Sequence, residues 1–139
     1  MKIQLHGTPD FHFESISPDN GYKFSIGASK SIGGDESGFR PMQVLLASLG
    51  GCSGIDVVNI LKKSRVEFNG IDVEVEGERE KDAVPAPFKK VRLLFRVHGK
   101  NIDVNKVQKA VNLSVEKYCS AIASLDPKIQ IEAIGEVAE

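Results

Sequence analysis

Residues 41–63 read PMQVLLASLGGCSGIDVVNILKK. Proline opens the segment, where its missing N–H is one that the first helical turn would leave unpaired anyway. Lys62 and Lys63 close it and suit the negative end of a helix dipole. From Val44 to Leu61 the run is apolar almost all round, without the polar stripe of a one-sided surface helix. The pattern predicts a long helix buried against more than one sheet face. Gly50-Gly51 in its middle would cost such a helix on the order of 2 kcal/mol relative to alanine. Two arrangements would offset that cost: close packing of another part of the chain, or a helix that breaks and restarts at Cys52.

Upstream, residues 2–6, 11–16 and 22–26 alternate apolar and polar side chains, and Tyr22, Phe24 and Ile26 share one side. Pro9 and the cluster Ser17-Pro18-Asp19-Asn20-Gly21 mark the reversals between them, as in a β-meander. A polar loop follows over residues 29–38, with Gly33-Gly34 and the acidic pair Asp35-Glu36. Its glycines and its length make it the segment expected to be most mobile.

Downstream, residues 71–80 alternate cleanly. Ile71, Val73 and Val75 face one way, and Asp72, Glu74, Glu76, Glu78 and Glu80 the other. After a Pro-rich turn at residues 83–87, Val91, Leu93, Phe95 and Val97 return inward, and Lys90, Arg92, Arg96 and His98 outward. An acidic face meeting a basic one favours antiparallel pairing of these two strands. Residues 103–118 repeat Val104, Val107, Val111, Val115 and Tyr118 at helical spacing, with Asp103 as N-cap. Residues 119–125 suggest a short helix, Asp126-Pro127 stops it, and residues 128–137 read as a last strand. The order predicts an α+β fold: a mostly antiparallel sheet with both long helices on one face.

The 139 residues show no composition break, which predicts a single domain over 1–139. Apolar residues make up 41% and charged residues 27%, as in globular chains. A net charge of −1 lacks the basic surplus of a nucleic-acid binder. No apolar stretch follows Lys2 as in a secretory signal, and no run is expected to approach the ~18 apolar residues of a membrane span. The expected location is the cytoplasm, where structural disulfides are rare. Cys52 and Cys119 are then either inert core residues or transient redox groups.

A restart of the helix at Cys52 would aim free N–H groups at its sulfur and favour the thiolate. In a continuous helix Cys52 is one more small apolar residue. Asp56, one turn further on, would oppose ionisation if it faced the sulfur. Cys119 is activated only if it begins the short helix that follows it. The two cysteines stand 67 residues apart on elements expected to lie side by side, and sequence leaves their separation open. His6, His12 and His98 are scattered, so no metal set of zinc type is expected. No phosphate-binding glycine loop and no hydrolase triad are present, and no cofactor is implied.

The segment from Arg40-Pro41-Met42 through Leu49-Gly50-Gly51-Cys52 resembles the first cysteine segment of the OsmC/Ohr superfamily. Glu116-Lys117-Tyr118-Cys119-Ser120 resembles the second, in the form of the YhfA-like branch. The resemblance spans essentially the whole chain. It implies an OsmC-like intertwined homodimer acting as a thiol-dependent peroxidase on organic hydroperoxides, and the all-round apolar surface of the first long helix predicts that this helix lies at the dimer's centre. Carried over, Cys52 is the peroxidatic cysteine, Cys119 resolves its sulfenic acid as a disulfide, and a dithiol of lipoyl or other type reduces the pair. The chain departs from the peroxidase pattern at one point. Those peroxidases carry a Glu after the helix-opening proline that orients an Arg; here Met42 and Gln43 follow Pro41, and residues 1–39 hold no Arg. Arg40 is the nearest substitute, acting if the loop folds over the site or from the partner subunit. The expected thiolate stabilisation at Cys52 comes mainly from the helix break, with Arg40 adding to it. The alternative is an OsmC-fold small-molecule or thiol-binding module with little peroxidase activity.

Overall fold

The structure is a computed structural model that describes all 139 residues. The chain divides into two compact units, Met1–Leu45 and Leu46–Glu139. In the first, β1 (Gln4–Thr8), β2 (His12–Ile16) and β3 (Lys23–Gly27) form an antiparallel meander, with Gln4 opposite Ile16 and His12 opposite Gly27. Gly21 closes the second reversal at φ 77°, a conformation that glycine adopts without steric cost. Alternation along the strands puts Leu5, Phe13 and Phe24 on one face, and all three stay exposed. The polar loop after β3 contains a 3-10 turn at Lys30–Ile32 and folds back on its own sheet, with Gly27 N–H bonded to Phe39 O and Phe39 N–H to Ser25 O.

The helix α1 (Pro41–Lys63) is continuous. The expected break at Gly50-Gly51 does not occur, because close packing offsets the glycine cost instead. A Cβ on Gly50 would stand 2.7 Å from Val75 Cγ2, so only glycine lets the next strand close on the helix here. Gly51 meets nothing within 4 Å. Burial is also one-sided. Leu49, Ser53, Val57 and Leu61, spaced four apart, are fully buried, whereas Ile55 is 73% exposed. Within one chain the all-round apolar helix is therefore covered along a single stripe. By length and composition this helix could cross a membrane, contrary to the expectation that no run approaches that range. At its N-terminus Gln43 Oε1 accepts from Arg40 N–H at 3.0 Å, half of a capping box.

In the second unit β4 (Gly70–Arg79) pairs antiparallel with β5 (Phe88–His98), and Val73 faces Phe95. The last strand, β6 (Gln130–Ala138), pairs with β5 in parallel. The expected mostly antiparallel arrangement holds for the other three pairings, in two three-stranded sheets rather than one. The parallel pairing follows from the connection: the helices α2 (Val104–Leu113) and α3 (Ser120–Ala123) carry the chain back along the sheet before β6 begins. Val91, Leu93, Phe95 and Val97 of β5 are fully buried. Asp103 caps α2 by accepting from Asn105 N–H, as expected. Gln108 ties α2 to β6, accepting from Gly135 N–H and donating to Ala133 O. Register places Val73, Val75, Phe95 and Gly135 on the sheet face against which both α1 and α2 pack. The opposite face is charged: Arg96 pairs with Glu74 and Glu136, Glu132 with Lys90 and Arg92, and His98 with Asp72. Exposed pairs of this kind each contribute ~0–1 kcal/mol.

Candidate functional site

Where α1 passes α2 the chain gathers its reactive side chains. Cys52 and Asp56 are separated by one helical turn and so share a face of α1. On the other side α2 runs into a π-helical turn at Ser114–Tyr118, closed by Cys119 N–H bonded to Ser114 O. That wider turn, of a kind frequent at functional sites, ends the helix and leaves Cys119 in extended conformation as the N-cap of α3. Ile122 N–H donates to Cys119 Sγ at 3.4 Å. The Sγ atoms of Cys52 and Cys119 and a carboxylate oxygen of Asp56 all lie within 4.8 Å of one another.

Two serines set this geometry. Ser53 Oγ, fully buried, donates back to Leu49 O at 2.6 Å within α1. Ser114, also fully buried, bridges the helices: its hydroxyl lies 2.9 Å from Asp56 Oδ2 and 3.3 Å from Ser53 O. A hydroxyl has one proton to donate, and the shorter, charge-assisted bond to Asp56 is the stronger. Asp56 makes no ion pair with Lys or Arg. The carboxylate thus lies beside both sulfurs with the Ser114 hydroxyl as its partner.

The two thiols are not bonded to each other, and their environments differ. Cys52 is half-buried and Cys119 is 3% exposed. Burial pushes the Cys119 thiol above its ordinary range; the Ile122 N–H acts against this, and the adjacent Cys52 sulfur adds to the upward shift. The arrangement offers one half-buried cysteine beside a buried one whose thiol is pushed upward.

Of the residues singled out in the sequence, the structure brings Cys52 and Cys119 together. Arg40 is engaged in its own loop, donating to Glu36 O and Gly38 O and pairing with the Glu36 carboxylate at 3.8 Å. Thiolate stabilisation by a helix restart at Cys52 is withdrawn, since α1 has no interruption there. Ser114 was not foreseen. An inward serine at the end of an apolar helical stripe was its only signal.

The OsmC-like protein family matches residues 33–133. Protein YhfA of Escherichia coli strain K12 is 40% identical over 97 residues, which cover 70% of this chain and 72% of YhfA. A hypothetical protein from Aquifex aeolicus VF5 has a crystal structure that superposes with a TM-score of 0.84 at 31% identity, covering 99% of this chain and 95% of that one. The organic hydroperoxide resistance protein OhrB of Bacillus subtilis shares the fold at a TM-score of 0.63 and 22% identity, covering 99% and 96%. With two cysteine segments, a matching fold and these relatives, the chain belongs to the OsmC-like family, on its YhfA-like branch.

Proposed function

We propose that this chain is a thiol-dependent peroxidase that reduces organic hydroperoxides through Cys52 and Cys119. The observation that carries the reading is the pair itself: two sulfurs within 4.8 Å, one on a half-buried residue and one on a buried residue. Cys52 as thiolate attacks the outer oxygen of the hydroperoxide and the O–O bond breaks. The leaving alkoxide takes a proton to become the alcohol, and Cys52 is left as a sulfenic acid. The Cys119 thiol then attacks the Cys52 sulfur and water leaves, giving the disulfide. An external dithiol, of lipoyl or other type, returns the pair to the reduced state. Burial that keeps Cys119 protonated suits a resolving thiol, which must not compete with Cys52 for peroxide. Arg40 enters only if its loop bonds to Glu36 and Gly38 are given up. The name of OhrB supports the substrate class by family likeness.

The working unit in this reading is a homodimer. Two apolar surfaces support it. One is the exposed face of the meander at Leu5, Phe13 and Phe24. The other is an open groove of about 450 Å³ between α1 and β4, lined among others by Gly51, Ile55 and Val73. Apolar surface of this extent marks an interaction site more often than bare solvent contact.

The test is rapid mixing of the reduced protein with cumene hydroperoxide, following sulfenic acid and disulfide formation, with Cys52→Ser as control. Fast, stoichiometric disulfide formation that is absent in Cys52→Ser is expected. A second reading, a small-molecule or thiol-binding module with little turnover, is favoured by one observation, the Asp56 carboxylate facing the sulfurs. Oxidation no faster than that of a free thiol would select it.

A further inference from the structure

Cys52, Asp56 and Cys119 bring two soft sulfur donors and one carboxylate oxygen to a common point, within 4.8 Å of one another. A bound divalent cation deprotonates a coordinating thiol outright. We propose that the reduced protein binds one soft divalent cation of the zinc or cadmium class through Cys52 Sγ, Cys119 Sγ and an Asp56 carboxylate oxygen, with a fourth position left to water.

The donor types fit. Two thiolates select a soft or borderline ion over magnesium or calcium. Tetrahedral zinc, with Zn–S of about 2.3 Å and Zn–O of about 2.0–2.2 Å, places its ligand atoms about 3.5–3.8 Å apart. The cluster reaches that spacing by a contraction of at most about 1 Å, within the range of side-chain rotation. The atoms behind the ligands are also in place. Ser114 Oγ holds Asp56 Oδ2 at 2.9 Å, and Ile122 N–H points at Cys119 Sγ. Such outer hydrogen bonds orient metal ligands and tune their charge. On the carboxylate side, Asp56 lines an open cavity of about 520 Å³ together with Asn59, Lys63 and Tyr118. No ligand pair stands close in sequence except Cys52 and Asp56 on one helix face; the fold supplies the third donor.

Cation binding and disulfide formation exclude one another, because the disulfide removes both sulfur ligands. This gives a test on the unaltered chain, without peroxide and so independent of the peroxidase reading. The fully reduced, full-length protein is titrated anaerobically with Cd²⁺, following thiolate-to-metal charge transfer, and with Zn²⁺ against a chromophoric chelator. The same titrations follow after oxidation with diamide to the intrachain disulfide. The expected result is one ion per chain in the reduced form with release of the thiol protons, and none in the oxidised form. Cys52→Ser and Cys119→Ser should lose the charge-transfer band. Ser114→Ala, which leaves the ligands intact, should weaken binding about 10–100-fold, and Asp56→Asn at least as much. The proposal is overturned if the reduced protein retains no stoichiometric ion, if the oxidised protein binds as well as the reduced one, or if Asp56→Asn binds as tightly as wild type with an unchanged circular dichroism spectrum.

Discussion

The Ser114 hydroxyl donates to Asp56 Oδ2 at 2.9 Å, linking α2 to α1 across 58 positions of sequence. The bond holds in place the only carboxylate that faces both cysteines. Ser114 is fully buried and Asp56 half-buried at the edge of an open cavity, so Ser114→Ala removes a hydrogen bond to a charged group. The expected cost is about 1–3 kcal/mol of stability, read as a lower urea midpoint with an unchanged slope. A midpoint equal to wild type would mean that water replaces the hydroxyl without loss.

The two central glycines of α1 separate by environment. Gly50→Ala places a methyl 2.7 Å from Val75 Cγ2, whose branched side chain on β4 has few places to go. Overpacking of this kind costs about 1–3 kcal/mol. Gly51→Ala meets open space in the chain and gains up to about 1 kcal/mol of helix propensity. Chemical denaturation should rank Gly51→Ala above wild type and Gly50→Ala below it. The reverse ranking would show that β4 does not close on α1 as described.

These glycines also show how far the residues alone could be read. Pro41 and the Lys62-Lys63 pair marked the ends of α1 because both signals are local to the helix. The β4–β5 hairpin was legible for the same reason, from alternation and opposed charge along adjacent strands. Whether Gly50-Gly51 break the helix was not legible, since the answer lies in Val75, 25 positions away. The parallel pairing of β6 was missed because alternation gives a strand's faces and not its direction. At the site, the two cysteines were found by motif. Ser114 was missed because its function lies entirely in its contacts to another helix.

The α1–β4 groove gives a further expectation. Ile55 is 73% exposed in the single chain, and it lines that groove. If a second copy covers it, Ile55→Glu removes about 1.5–3 kcal/mol of apolar burial and adds an unpaired charge. The dimer dissociation constant should then rise more than about tenfold, with helical content retained. Sedimentation equilibrium measures the shift. A monomeric wild type at micromolar concentration would remove the dimer from the proposed function.

The upward shift of the Cys119 thiol carries a sign for stability. Its protonated form is favoured in the folded chain, so the folded state binds more protons than the unfolded one above the ordinary value of 9.0. The contribution is fully present below that value and is lost as pH rises through the higher folded value. Under reducing conditions the wild-type urea midpoint should fall between pH 8 and pH 10 more steeply than that of Cys119→Ala. Parallel curves would show that burial does not hold the proton. Comparison with the variant removes the contribution of lysine and tyrosine titration, which both proteins share.

The unequal exposure of the two sulfurs predicts an order of reaction. Cys52 is half-buried, whereas Cys119 is 3% exposed and burial pushes its thiol above the ordinary range. The thiolate is the nucleophile toward alkylating agents and peroxides alike. Iodoacetamide at neutral pH should therefore modify Cys52 first in the native reduced protein, and Cys119 only on unfolding. One equivalent of hydroperoxide should give the Cys52–Cys119 disulfide in wild type, because the second sulfur lies within 4.8 Å of the first. In Cys119→Ser the same treatment should leave Cys52 as sulfenic acid, and excess peroxide should drive it on to sulfinic acid, since no thiol is left to condense with it. Peptide mass mapping separates the three products. Alkylation of Cys119 ahead of Cys52, or sulfinic acid at Cys52 in wild type with Cys119 still a thiol, would reverse or abolish the assigned roles.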